Sequence, residues 1–358
     1  MWPDRRLTDL LHITHPILQA PMAGAATPAL AAEVSNSGGL GALGSAEMTS
    51  DQITMSVAEL RGRTSRPFNL NFFVGDAPTT GPAVLARTRD RLRPWYVQLG
   101  LGEPPETLPK LGPSFDDTRL ALLLDLRPAV VSFHFGLPPA PALAALKGAG
   151  IVVLSTATTV AEALALEAAG IDAVIAQGYE AGGHRGAHRP SAPADGVGTI
   201  ALVPQIVDAV RLPVIAAGGI GDGRGIAAAF ALGAAGVQMG TAFLSCPEAG
   251  TDPARRSLLA KATETDTMVT DAVSGRSARA CRSAYAEAMN AAREPLPAFL
   301  QLYGLTEPML DAGHDDIASF HLYGQAARLN RVLPAAELLA RLLQETAIAI
   351  SRLSATKR

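Results

Sequence analysis

The sequence is poor in cysteine, in aromatic side chains and in net charge. Cys246 and Cys281 are the only cysteines among 358 residues. Two thiols cannot build a disulfide framework, and neither stands at zinc-ligand spacing, so no metal site is expected. A reducing, cytoplasmic setting is the simplest expectation. Aromatic residues make up 5%, too few for base-stacking platforms. Lys and Arg total 30 against 33 Asp and Glu, a net charge of −3, so no basic face for nucleic acid is expected. Long hydrophobic runs are also missing. No uncharged apolar stretch reaches the ~20 residues of a membrane helix. Segment 214–245 comes nearest, but Asp222, Arg224 and several glycines interrupt it. The opening residues, Met1 to Arg6, have no apolar signal core behind them. These absences leave a small-molecule partner as the expectation, without nucleic acid or membrane, for a monomer or homodimer.

What is present is a globular composition, 48% hydrophobic and 18% charged. Eight short apolar runs recur at 16–22, 40–44, 67–73, 129–135, 151–155, 173–177, 213–217 and 236–240. They are continuously apolar rather than alternating, as parallel strands covered on both faces should be. Helical patterns fill the gaps at 28–37, 140–148, 159–169, 202–210 and 223–232. Thr159 with Glu162 reads as a capping box, and Gly170 stands where a C′ glycine belongs. Eight such units predict an α/β fold, a (β/α)₈ TIM barrel over residues 1–246; a doubly wound sheet is the alternative. An insertion at about 76–120 is rich in proline (Pro78, Pro82, Pro94, Pro104, Pro105, Pro109, Pro113). Residues 247–312 read as a mostly helical lid subdomain. Residues 313–358 read as a segment returning to the barrel, with a periodic helix at 333–353.

Barrel enzymes place their sites at the C-terminal strand ends. There this chain carries Met22-Ala23-Gly24, Asn69-Leu70-Asn71, His134, the run Gln177 to Gly186, Gly218-Gly219 and Gln238-Met239-Gly240-Thr241. The last two glycine-bearing loops suit a phosphate cradle, because glycine lets backbone N–H groups approach oxygens closely. They equally suit tight turns that need positive φ. Asn69 and Gln177 are amides at buried strand ends; they would bond a heteroaromatic ring such as a flavin or tie loops together. Met22 and Gly24 would line a flat ligand or pack the barrel. His184, behind Gly182-Gly183, is the candidate base or hydrogen-bond donor. His134 is a pocket wall or substrate contact, or else structural packing; His188 and Arg189 are expected to be solvated, and Glu180 to cap or hydrogen-bond within its loop.

These motifs together resemble the class I nitronate monooxygenases. The resemblance rests on Gln19-Ala20-Pro21-Met22-Ala23-Gly24, Asn69 to Phe73, Val131 to Gly136, Gln177 to Gly186, Ala217 to Ile220 and Gln238 to Thr241. The Gly182-Gly183-His184 motif with its flanks is the most specific part; flavin-dependent enoyl reductases share the rest. The resemblance implies a flavin-dependent oxidoreductase that binds FMN and oxidises alkyl nitronates with O₂ to a carbonyl compound and nitrite. It implies that Met22, Ala23 and Gly24 face the isoalloxazine. Asn69, Gln177 and Gly182 would contact flavin and ribityl chain. Gly218, Gly219, Gln238, Met239, Gly240 and Thr241 would hold the phosphate, and Gln325 would reach back to the cofactor. His184 would be catalytic, with His134 and Tyr303 toward the substrate, a nitronate or nitroalkane. One departure is that Glu307 stands where the family usually carries a basic residue, which would repel an anionic substrate tail. An NAD(P)H-dependent FMN reductase acting on a quinone or enoyl thioester is the alternative. A cofactor-free barrel lyase or isomerase acting on a phosphorylated substrate is a second one.

Overall fold

The computed structural model describes residues 2–75, 80–106, 115–190 and 192–355. Met1, Pro78, Pro109 and Pro113 lie outside the described residues. The eleven described strands are β1 (Ile17–Gln19), β2 (Gly41–Gly44), β3 (Phe68–Phe73), β4 (Val130–His134), β5 (Val152–Ala157), β6 (Ala173–Gln177), β7 (Gly183–His184), β8 (Val214–Ala217), β9 (Gly236–Met239), β10 (Thr267–Thr270) and β11 (Ala278–Cys281). Eight of them form one parallel sheet in the order β1-β9-β8-β6-β5-β4-β3-β2. The sheet curls until β1 meets β2 through the Leu18–Leu40 bridge. There the Gln19 side chain accepts the Ala42 N–H at 2.9 Å, extending the closure with a side-chain bond. All eight expected runs became the eight barrel strands; six are shorter than their runs, β6 keeps the bounds of its run, and β5 runs on to Ala157.

The continuous apolarity has two destinations. Ile17, Val131, Val153, Val174 and Val237 face the outer helices. Their neighbours Leu18, Val130, Leu154, Ile175 and Ile215 fill the interior, where Leu7 and Leu11 from the first helix plug the bottom. Helices Pro28–Asn36, Ala140–Gly148, Val160–Ala169, Thr199–Ala209 and Gly223–Ala231 occupy the expected gaps. Thr159 accepts the Glu162 N–H, but the Glu162 carboxylate bonds Thr158 and His188 rather than Thr159. The expected capping box is therefore half formed. Gly170 ends that helix in the left-handed region. The C-terminal helix Ala335–Ala355 packs on the Gly223–Ala231 helix, which it approaches so closely that a Cβ on Gly223 would lie 2.3 Å from the Thr346 nitrogen.

The segment 247–312 holds the expected helices, Pro253–Lys261, Ala284–Ala292 and Tyr303–Asp311. It also holds β10 and β11, which helical periodicity did not reveal. They pair antiparallel, and β11 pairs in turn with β7. The insertion contributes the helix Pro82–Gln98. Its Leu92 and Tyr96 share a small core with Tyr285, Leu302, Leu305 and Met309. The Tyr96 hydroxyl donates to the Leu305 carbonyl at 2.6 Å. The helix Pro82–Gln98 and the segment 247–312 thus pack on one another.

Candidate active site

A cavity of about 330 Å³ opens at the C-terminal strand ends. Met22, Ala23, His134, Gln177, Gly182, His184, Gly218, Gly219, Gln238, Met239, Gly240, Thr241 and Tyr303 all line it. Gly24, Asn69 and Gln325 do not. Gly24 and the Gln325 side chain are exposed, and Gln325 serves through its backbone, donating N–H to the Glu180 carbonyl at 3.0 Å. Of the two roles expected of Glu180, the cap is the one seen: its carboxylate accepts the Thr199 N–H at the start of the helix Thr199–Ala209.

The amides divide by depth. Asn69 is buried beneath the cavity and donates to Ser132 Oγ at 2.8 Å. Asn71, two residues later on the same face of β3, reaches the cavity wall. Its amide donates to Ser132 Oγ at 2.9 Å. The signal for Asn71 was available, because the later residue on a strand lies nearer the catalytic rim. Gln177 lines the cavity but uses both ends of its amide in the loop: Nε2 donates to the His184 carbonyl and Oε1 accepts the Gly186 N–H. Of its two expected roles, the loop tie is the one the hydrogen bonds fill.

That loop is held from both sides. As β7, Gly183 and His184 pair with Arg279 and Ala278 of β11. The buried Arg279 guanidinium donates to the Tyr179 carbonyl at 2.8 Å and 3.1 Å and to Thr267 at 3.0 Å. Arg185 and Arg279 both lie over the Tyr179 ring, at 5.2 Å and 4.9 Å. On the barrel side, His134 Nε2 donates to the His184 carbonyl and His134 Nδ1 accepts the Thr156 hydroxyl, both at 3.0 Å. A nitrogen facing a carbonyl must carry the proton, so this tautomer is fixed. Burial pushes the His134 pKa down to about 4, with Arg276 and His188 acting the same way. Both ring nitrogens are engaged inside the protein, so toward the cavity His134 is a wall. His188, expected in solvent, instead bonds the Thr156 carbonyl at 3.0 Å.

His184 Nε2 lies 2.9 Å from Ser274 Oγ, and the Ser274 hydroxyl also meets the Arg276 carbonyl at 3.1 Å. A hydroxyl has one proton, so both bonds are made only when His184 Nε2–H donates to Ser274. The lone pair then sits on Nδ1. Burial, reinforced by His134 and Arg276, pushes the His184 pKa down to about 3. The ring is a neutral imidazole at ordinary pH. Four phenylalanines stand edge-on around it: Phe73 at 6.0 Å, Phe135 at 5.9 Å, Phe299 at 5.3 Å and Phe320 at 5.8 Å. Phe135 adopts φ +74, a conformation that side-chain-bearing residues rarely take. Sequence reasoning missed this box, because its members come from four separate segments.

The opposite wall is backbone. Gly218 and Gly219 have φ +108 and +71, so the tight-turn demand is real there. Gly240 differs: its φ is negative, and an added Cβ would meet Ala20 only at 3.4 Å and Met22 at 3.7 Å. Packing does not require glycine at this point, and with no side chain there the backbone of Gly240 and Thr241 borders the cavity. The helix Gly223–Ala231, by contrast, is already capped by the Asp222 carboxylate. The C-terminal segment completes the wall: the Gly324 N–H donates to Thr241 Oγ1 at 2.9 Å.

The chain as a whole also has counterparts among known proteins. The nitronate monooxygenase family model matches residues 4–345. A nitronate monooxygenase of Paraburkholderia phytofirmans is 46% identical over 356 residues, covering 98% of this chain and 97% of the relative. The crystal structure of a nitroalkane oxidase from Streptomyces ansochromogenes superposes with a TM-score of 0.88 at 39% identity, covering 97% of this chain and 99% of that one. FabK from Thermotoga maritima gives 0.77 at 34%, with 98% of each chain covered. The barrel, its glycine wall and its histidine loop therefore sit in a chain that belongs to the nitronate monooxygenase family, a family of oxidoreductases.

Proposed function

We propose that this chain binds FMN in the cavity and oxidises alkyl nitronates with O₂ to a carbonyl compound and nitrite. The observation that carries the reading is His184, neutral and boxed by phenylalanines, in the same cavity as the open glycine wall. The residues present fit FMN. The backbone at Gly219, Gly240 and Thr241 would hold its phosphate, and Met22, Ala23 and Asn71 would lie along its ring system. When bound, the flavin supplies the redox chemistry, accepting electrons from the nitronate and passing them to O₂.

The protein's own part is positional and electrostatic. A nitronate arrives deprotonated and needs no base. The apolar box strips water from its alkyl part, which strengthens every electrostatic contact inside. A neutral nitroalkane must first lose its α-proton, and the Nδ1 lone pair of His184 is the acceptor. Burial makes an isolated imidazolium unfavourable here, so the transferred proton is held only while the newly formed anion lies beside it.

Purified protein should be yellow and release FMN on heating. Anaerobic ethyl nitronate should bleach it rapidly, and NADH should not; the reverse pattern would install the reductase reading. His184→Asn should lower turnover of neutral nitroethane by ~10²–10⁴, the usual size of a general-base contribution. Turnover of ethyl nitronate should fall much less. Equal losses on both forms would reduce His184 to a positioning role.

A further inference from the structure

We propose that the cavity selects substrates with an uncharged, apolar tail and rejects those whose tail ends in a carboxylate, through Glu47 and Glu307 on its lid side. The inference rests on the nitronate reading above and names the substrate class.

Around His184 every ring contact within the box is with phenylalanine or histidine, so a tail leaving the reacting carbon first meets hydrocarbon. From His184 the aromatic wall continues through Phe320 at 5.8 Å to Tyr303, 6.4 Å further on. Tyr303 and Glu47 line the same cavity. Glu307 follows Tyr303 by one turn on the helix Tyr303–Asp311, exposed and just outside the lining itself. These groups feel one another. Burial, then Glu47, Glu307 and Asp311, push the Tyr303 hydroxyl up to about 12. Burial and Glu307 together raise the Glu47 carboxyl above its ordinary range.

Two cations bear on this balance, and each is held by another part of the fold. Arg276 stacks on Phe135 at 3.7 Å and donates to the Ala187 carbonyl; it is not part of the cavity lining. Arg255 does line the cavity, and its Nε is buried without a partner, but its guanidinium donates to the Leu322 carbonyl, in the segment that runs on to Gly324, and so serves the glycine wall. A carboxylate tail would therefore enter a hydrocarbon sleeve and end among like charges. An alkyl tail of the same length would lose nothing on the way.

The test uses the holoenzyme and two nitronates of matched length, butyl 1-nitronate and propionate 3-nitronate. The wild type should show kcat/KM at least about tenfold higher for the butyl compound, the size of one like-charge contact in a half-solvated site. The carboxylate-to-alkyl ratio of kcat/KM should rise at least about tenfold in Glu307→Lys, with Glu47→Gln moving it the same way. Raising the salt concentration should also raise that ratio in the wild type, by screening, without any substitution. Equal kcat/KM for the two nitronates, or a ratio unmoved by the variants and by salt, would overturn the selection while leaving the nitronate reading intact. Turnover of neither compound would overturn the nitronate reading itself, and the selection with it.

Discussion

His134 offers a test of the site's electrostatics that is independent of turnover. Its pKa is lowered from 6.5 to about 4 in the folded protein. The folded state thus resists a proton that the unfolded chain accepts. The sign follows from linkage: below pH 6.5 the unfolded state binds more protons, so stability falls as pH falls, down to the folded pKa. At about pH 5, with the folded group still mostly neutral, one such histidine costs ~2 kcal/mol relative to pH 7.5. His134→Gln keeps a donor for the His184 carbonyl and an acceptor for Thr156, but it does not titrate. Urea denaturation at both pH values, in wild type and variant, isolates the term, because every other titrating group is common to both. The wild type should lose ~2 kcal/mol more than the variant on acidification. Parallel losses would refute the reasoning, since they would mean that His134 takes up its proton as readily folded as unfolded.

Gly182→Ala should destabilise the protein by roughly 1–3 kcal/mol, because the new Cβ would lie 2.4 Å from the Tyr323 carbonyl carbon and 2.5 Å from the Gly324 nitrogen. Both are backbone atoms that no rotamer change can move; a thermal melt reads the loss. Gly219→Asp should raise the FMN dissociation constant at least about tenfold in equilibrium dialysis, because its carboxylate would face the phosphate. Its Cβ would also stand 3.3 Å from Glu180 Cβ at a φ of +71; unchanged flavin affinity in a folded variant would remove Gly219 from the phosphate wall. Asn69→Ala should lower stability, with a smaller effect on flavin binding than Asn71→Ala, since only Asn71 reaches the cavity. The reverse order in melting and dialysis would refute that assignment by depth.

The strands, their number and the rim on which chemistry gathers were legible in the sequence. A parallel strand buried on both faces must be apolar throughout, and eight such runs separated by helical patterns leave few architectures. The glycines of the rim were legible for a similar reason: backbone that turns at positive φ, or approaches a ligand closely, excludes side chains whatever surrounds it. These are local demands, and local demands are written in consecutive residues.

The tertiary structure decided which residue of each motif does what. Asn69 and Asn71 are alike in sequence, and only their height along β3 separates a buried tie from a cavity wall. Gln177 suited either role until the loop returned both of its partners. Residues 267–270 and 278–281 become strands because β7 offers β11 an edge, which no local periodicity records. His184 is neutral because Phe73, Phe135, Phe299 and Phe320 converge on it from four segments. A pKa depends on what surrounds a group in space, and the chain order of those surroundings carries no trace of their distance.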